Sequence, residues 1–248
     1  MSKKFEYRAK LQALSDWDDY LLKESGLPGP RGNIELAIVV ADEGNHDLFL
    51  RYIGYTADRA PINSPYEFLA FCGTVGLGRL LAEGGMKQLK ILRALASDPR
   101  WRIREAVAMA LQRLGDVNWS QLLTAMRNWS QGTPLEQRAA ACALCEPRLL
   151  GQEEQARDTL DILDRITVSI KNVDDRRNEN FLALRKGLGY CWSVAVAALP
   201  DEGKALMEKW LVSTDKDIKW IMQQNLKKNR LIRMDAAWVQ KWVVRIGS

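Results

Sequence analysis

Apolar residues recur along this chain at helical spacing. Between Met86 and Leu114, Leu89, Leu92 and Ala96 form one stripe, and Ile103, Val107, Ala110, Leu111 and Leu114 form a second. Residues three, four and seven positions apart share one face of a helix, so the stretch predicts two amphipathic helices. Ser97-Asp98-Pro99 between them predicts a capping residue followed by a proline at the first helical position, where the missing N–H is no loss. Neither helix can bury its stripe alone, and the pair therefore requires neighbours like itself.

The same pattern extends in both directions. Leu11, Leu14, Trp17 and Leu21 predict a first helix that stops at the glycine- and proline-rich loop Ser25 to Gly32. Asn33 caps a helix over Ile34 to Ala41, Gly44-Asn45 breaks it, and Leu48 to Ile53 follows. Ser64-Pro65-Tyr66-Glu67 and Thr133-Pro134-Leu135-Glu136 read as capping boxes with proline at the first helical position. With Asp98 they place caps at 64, 98 and 133, spacings of 34 and 35 residues. A fixed period in this range is the mark of a helical repeat array. The next expected cap, near 167, falls inside the apolar run Leu160, Leu163, Ile166, Ile170, where the array is irregular. Beyond the charged connector at 172–179, Phe181, Leu184, Leu188, Cys191, Trp192, Ala195 and Leu199 trace the longest stripe, and three more helices are centred on Trp210, Ile221 and Trp242. No segment alternates long enough to predict a strand.

The turn from Asp98 to Val107 resembles the start of the second helix of a HEAT repeat. Asp98 and Arg104 match the family's aspartate and arginine, and Ala106, Val107, Ala110 and Leu111 match its small-apolar register. Pro134 to Ala141, with Arg138, and Thr214 to Lys219 are weaker echoes, so that about half the chain is covered. The resemblance departs at the glycine-rich 72–78 segment and over 150–200. It implies an all-α, right-handed α-solenoid of about five to six antiparallel helix pairs, with Asp98, Arg104 and Arg138 in a structural ladder. The whole of 1–248 then forms a single domain, with 1–31 as the N-terminal capping helix and loop and 200–248 as basic C-terminal repeats.

Composition adds one asymmetry. The net charge of +5 is unevenly placed: residues 204–248 carry ten basic and four acidic side chains, so the first 203 residues sum to −1. A basic end attracts anionic partners or forms a solvated face. The longest apolar run, Tyr190 to Leu199, is too short to span a bilayer, and the N-terminus carries no apolar signal region; a cytoplasmic protein without membrane contact is expected.

Motifs for chemistry are few. Cys142-Ala143-Leu144-Cys145 is a CxxC at the end of a helix, where the helix dipole disfavours a thiolate, and the four cysteines are expected to be buried small hydrophobes. A four-cysteine zinc site would have to recruit Cys72 and Cys191, at spacings unlike zinc modules. His46, the only histidine, lies in a capping turn between Asn45 and Asp47. Gly73-Thr74-Val75-Gly76-Leu77-Gly78 lies within a predicted helix rather than after a strand, and so predicts a close helix crossing rather than a nucleotide loop. Gly29 to Asn33 leads into a helix N-terminus and reads as a rigid turn, with anion binding as the alternative. No catalytic residue, metal site, cofactor or small-molecule substrate is assigned.

Arg100 and Arg102 crowd a helix start beside Arg104, which is reserved for the ladder; they are expected to be solvated or to face an acidic partner. Trp220 lies off its stripe beside Lys219, and either stacks on a partner or packs on the next repeat. Lys219, Lys227, Lys228, Arg230 and Arg233 are candidates for phosphate contacts. The expected function is a non-enzymatic scaffold binding a protein on a concave surface. The alternative is nucleic-acid binding, related by fold analogy alone to the alkylation-repair DNA glycosylases, whose active-site motif matches no position here.

Overall fold

The computed structural model describes residues 2–247, and these contain fifteen α-helices, two short 3-10 turns and no strand. They divide into two compact units, Met1–Asn118 and Trp119–Ser248. None of the described helices is long and apolar enough to cross a membrane.

The first unit contains α1 (Lys3–Gln12), α2 (Asp18–Glu24), α3 (Ile34–Glu43), α4 (His46–Ile53), α5 (Pro65–Ala82), α6 (Gln88–Leu95) and α7 (Trp101–Val117). The single N-terminal helix expected over Leu11–Leu21 is broken at 13–17, where the Trp17 indole N–H donates to Leu11 O at 2.9 Å. Helix α5 is the centre of this unit and packs on α2, α3, α4, α6 and α7. Its glycines are the reason it can be central. A Cβ on Gly76 would lie 2.3 Å from the Phe49 ring of α4, and one on Gly78 would lie 2.4 Å from Ala110 Cα of α7. The close crossing expected from the sequence is therefore present on two sides of one helix.

The cap before α7 differs from its expectation. The helix begins at Trp101 with Arg100 as N-cap, and Asp98-Pro99 lies in the preceding loop. Asp98 Oδ1 accepts from the Arg100 backbone N–H at 2.8 Å, and both its oxygens accept from the Arg100 guanidinium. The box at Ser64 is half formed: Ser64 Oγ accepts from Glu67 N–H, but the Glu67 carboxylate turns to Asn63 N–H at 2.7 Å and to Arg102. Of the two expected boxes, Thr133–Glu136 is the one that closes reciprocally.

The second unit comprises α8 (Trp119–Trp129), α9 (Pro134–Leu144), α10 (Glu153–Ser169), α11 (Glu179–Ala198), α12 (Pro200–Leu211), α13 (Lys216–Leu226), α14 (Asn229–Met234) and α15 (Ala236–Gly247). Contacts run α9 to α11 to α13 to α15 in one row and α8 to α10 to α12 in another, with rungs between the rows at α8–α9, α10–α11 and α12–α13. The cap that the period would place near 167 is absent, and α10 runs unbroken through the apolar run there to Ser169, ending in a 3-10 turn. Trp192, Trp210 and Trp242 are core residues, as their stripes predict.

Polar ties join helices within each unit. In the first unit, Arg51 and Tyr52 bond to Asp18, and Arg102 bonds to Glu67. In the second, the Trp192 indole N–H donates to Thr167, Arg185 to Asp217, Lys204 to Asp235, and the indoles of Trp238 and Trp242 to Glu208.

Candidate binding surface

Helices α11 and α13 meet at Gly189, where a Cβ would lie 3.2 Å from both the Trp220 ring and Gln224 Cβ. Asn225, fully buried on the apolar stripe of α13, fixes their register. Its amide donates to Leu188 O at 2.8 Å, and its oxygen accepts from Ser193 N–H at 2.8 Å. A buried carboxamide reaching two backbone groups of the neighbouring helix fits one axial offset between them.

This register sets Trp220 beneath a cation. The Arg185 guanidinium lies 4.4 Å from the indole centroid and donates to Asp217 Oδ1 at 2.5 Å. Arg176 donates to both Asp215 oxygens, at 2.8 and 2.6 Å, and to Asp217 at 3.2 Å. Asp215 also caps α13, accepting from Asp217 and Ile218 N–H. Burial pushes the Asp215 carboxyl up, but the Arg176 guanidinium and the two backbone N–H groups outweigh it and hold the group below the usual carboxylate range.

One turn from Arg185 and Lys186 along α11, Tyr190 is 44% exposed. Arg230 lies over its ring at 4.8 Å and donates to its hydroxyl, and Lys228 stands 5.7 Å from the ring centroid. Cations over aromatic faces at these distances are held by the ring quadrupole. Lys186, Lys219, Lys227 and Arg233 are exposed. Of the residues expected to bind a partner, the structure thus gathers Lys228 and Arg230 around Tyr190 and sets Trp220 under Arg185. Tyr190 and Arg185 escaped the sequence reading. The available signal was an aromatic residue lying off the stripe of Leu184, Leu188 and Cys191 and next to basic positions.

The expectation for Arg100 and Arg102 is corrected, since they are 1% and 6% exposed. Besides Asp98, Arg100 donates to Tyr55 O at 2.8 Å and Ala60 O at 3.1 Å. Arg102 donates to Glu67 at 3.1 Å, Gly29 O at 2.7 Å and Asn63 Oδ1 at 3.2 Å, and stacks 4.4 Å from the exposed Trp101 ring. The loops before α3 and α5 offer carbonyls that no helix ladder uses, and the guanidinium fork matches several at once. Arg104 donates to the Asp98 and Pro99 carbonyls. Arg138 is nearly buried and packs its stem on the Gly187 position of α11. His46 is exposed beside Asp47, and Asn45 caps its helix through Leu48 N–H.

A shallow groove of about 510 Å³ lies elsewhere on this unit, between Lys171, the end of α12 and the loop 212–215. Its Trp210 donates to Asp164 and carries Lys171 and Lys209 at 5.4 and 4.7 Å from the ring centroid, so its charges are largely met within the fold. No group of three or more His, Cys, Asp or Glu suited to a metal ion occurs among the described residues.

The class that these features define is an all-helical protein whose second unit carries a basic surface with aromatic rings set in it. No protein-family model matches the chain, and no curated protein matches it either.

Proposed function

We propose that this protein is a non-enzymatic helical-repeat scaffold of the HEAT-like, right-handed α-solenoid type, and that it holds an acidic protein partner on the α11–α13–α14 surface. The stacking is supported by the two helix rows of the second unit and by polar ties from α11 to α13 and from α12 to α15. The observation that carries the binding assignment is the grouping of Lys228 and Arg230 around the exposed Tyr190, beside exposed Lys227. Tyrosine and arginine are enriched among the few residues that carry most of the energy at protein interfaces, and exposed lysines at the rim steer an acidic partner inward.

The test is affinity capture from nuclease-treated lysate, with the wild-type chain and a Lys227→Glu, Lys228→Glu, Arg230→Glu triple variant as baits. One stoichiometric protein with an acidic contact surface, retained by the wild type and lost by the variant, is expected. The same proteins on both baits would remove this surface from consideration.

One observation favours nucleic acid as the second reading. Tyr190 and Trp220 are two rings flanked by guanidinium groups on adjoining helices, an arrangement on which bases stack while the cations contact phosphate. Fluorescence titration with short single- and double-stranded DNA and RNA at about 50 and 200 mM salt separates the readings, because each phosphate contact steepens the loss of affinity with salt. Saturable, salt-sensitive binding favours nucleic acid, and its absence at the lower salt returns the surface to protein.

A further inference from the structure

Three of the four cysteines converge where α9 packs on α11. A Cβ on Gly187 of α11 would lie 3.5 Å from Cys142 Sγ of α9, which places Cys142 against that face. Cys191 lies one helical turn beyond Gly187 on the same face, and Cys145 lies one turn beyond Cys142 at the end of α9. The packing of α9 on α11 thus brings Cys191 to the CxxC, and both of its thiols act on the Cys191 thiol. No disulfide is formed. Cys191 is 1% exposed and Cys145 6%, whereas Cys142 is partly open to solvent. The cluster lacks the ligand arrangement of a metal site.

We propose that Cys142 and Cys191 are a peroxide-responsive dithiol, which closes to a disulfide joining α9 to α11. The partly exposed Cys142 is the sulfur that hydrogen peroxide reaches. Its thiol gives up a proton, the thiolate attacks one peroxide oxygen, the O–O bond breaks, and sulfenic acid forms while the released hydroxide takes that proton as water. The Cys191 thiol then loses its proton and attacks the sulfenic sulfur, the S–O bond breaks, and the hydroxyl leaves as a second water. In sum, two thiols and one peroxide give one disulfide and two waters, the two sulfurs losing the two electrons that the O–O bond gains. The order follows from the surroundings. The Cys142 hydrogen bond draws the Cys191 thiol down, but the bond to Cys145 and burial outweigh it and leave Cys191 well above the ordinary range. Cys191 therefore resolves rather than initiates.

The test uses the full chain, reduced, freed of reductant and treated with a small excess of hydrogen peroxide. Remaining thiols are blocked under denaturing conditions, and intact mass and peptide maps are recorded without reduction. A mass lower by two hydrogens is expected, with one linked peptide pair joining Cys142 to Cys191 and reversed by a phosphine reductant. Cys142→Ser and Cys191→Ser each abolish the link and Cys145→Ser keeps it. Cys191→Ser places a hydroxyl in the core and risks unfolding, so the partly exposed Cys142→Ser variant, with its fold checked by circular dichroism, carries the decision. Four fully blockable thiols after peroxide, a link that persists in Cys142→Ser, or sulfinic acid without any link would each overturn the assignment.

Discussion

Replacing Asn225 by leucine isolates the tie that sets the α11–α13 surface. Leucine has the branching and the number of side-chain heavy atoms of asparagine, so the shape is nearly conserved while the carboxamide is lost. Two partners on α11, Leu188 O and Ser193 N–H, each 2.8 Å from the amide and enclosed in the core, then face a methyl group. The third bond, to Ile221 O, lies within α13 and matters less, because that carbonyl keeps its place in the helix ladder. A buried polar group left unmatched costs about 1–3 kcal/mol. Two of them, partly relieved by bonds within α11, give about 2–4 kcal/mol. At about 2–4 °C per kcal/mol for a chain of this size, the melting temperature should fall by about 4–16 °C. Circular dichroism melts and urea titrations of Asn225→Leu measure this, with Lys216→Ala, exposed on the same helix, as a control that stays within about 0.5 kcal/mol. An Asn225→Leu protein as stable as the control would show that apolar packing, not the carboxamide, sets the offset of the two helices.

Other consequences follow from the same geometry. Gly78→Ala puts a methyl group 2.4 Å from the Ala110 backbone, and should cost at least the usual overpacking penalty of about 1–3 kcal/mol; an unchanged urea midpoint would mean that α5 and α7 part without penalty. Arg100→Leu strands Asp98 and two loop carbonyls, a loss of about 3–5 kcal/mol by analogy with broken buried pairs, and Arg100→Lys should recover little of it because an ammonium gathers its donors on one atom and lacks the planar fork that spans these partners. The carboxyls of Asp215, Glu208 and Asp235 all lie below their ordinary values: Asp215 against its burial through Arg176, Glu208 through the Trp238 indole, and Asp235 through the Trp238 backbone N–H and then Lys204. Their stabilisation is complete above the unfolded carboxylate pKa of about 4 and is lost as pH falls through the lower folded values. The melting temperature should therefore drop in acid, less steeply for Asp215→Asn, whereas a flat profile from pH 7 to about pH 3 would refute the linkage.

The helices themselves were legible in the sequence, because apolar period, caps and prolines are local signals and helices are stabilised locally. Thr133–Glu136 closed the expected box, the glycines of α5 marked its crossings, and Trp192, Trp210 and Trp242 sat in the core as their stripes required. Where an element ends was less legible, since a cap depends on competition. Asp98 was taken by Arg100 and Glu67 by Asn63 and Arg102, partners up to 35 residues away.

The charged positions divided in the same manner. Arg100 and Arg102 read as surface cations, because a one-dimensional pattern cannot show that loops before α3 and α5 fold back with carbonyls in need of donors. Tyr190 read only as the first residue of an apolar run, because only the pairing of α11 with α13 and α14 brings Lys228 and Arg230 onto its ring, and Cys191 joined the CxxC only through the packing of α11 on α9. Sequence alone therefore determined the secondary structure and the apolar core, which depend on near neighbours and on area removed from water. Tertiary structure alone decided which polar groups are buried, paired or open, because a charge takes its state from whatever the fold places within a few ångströms of it.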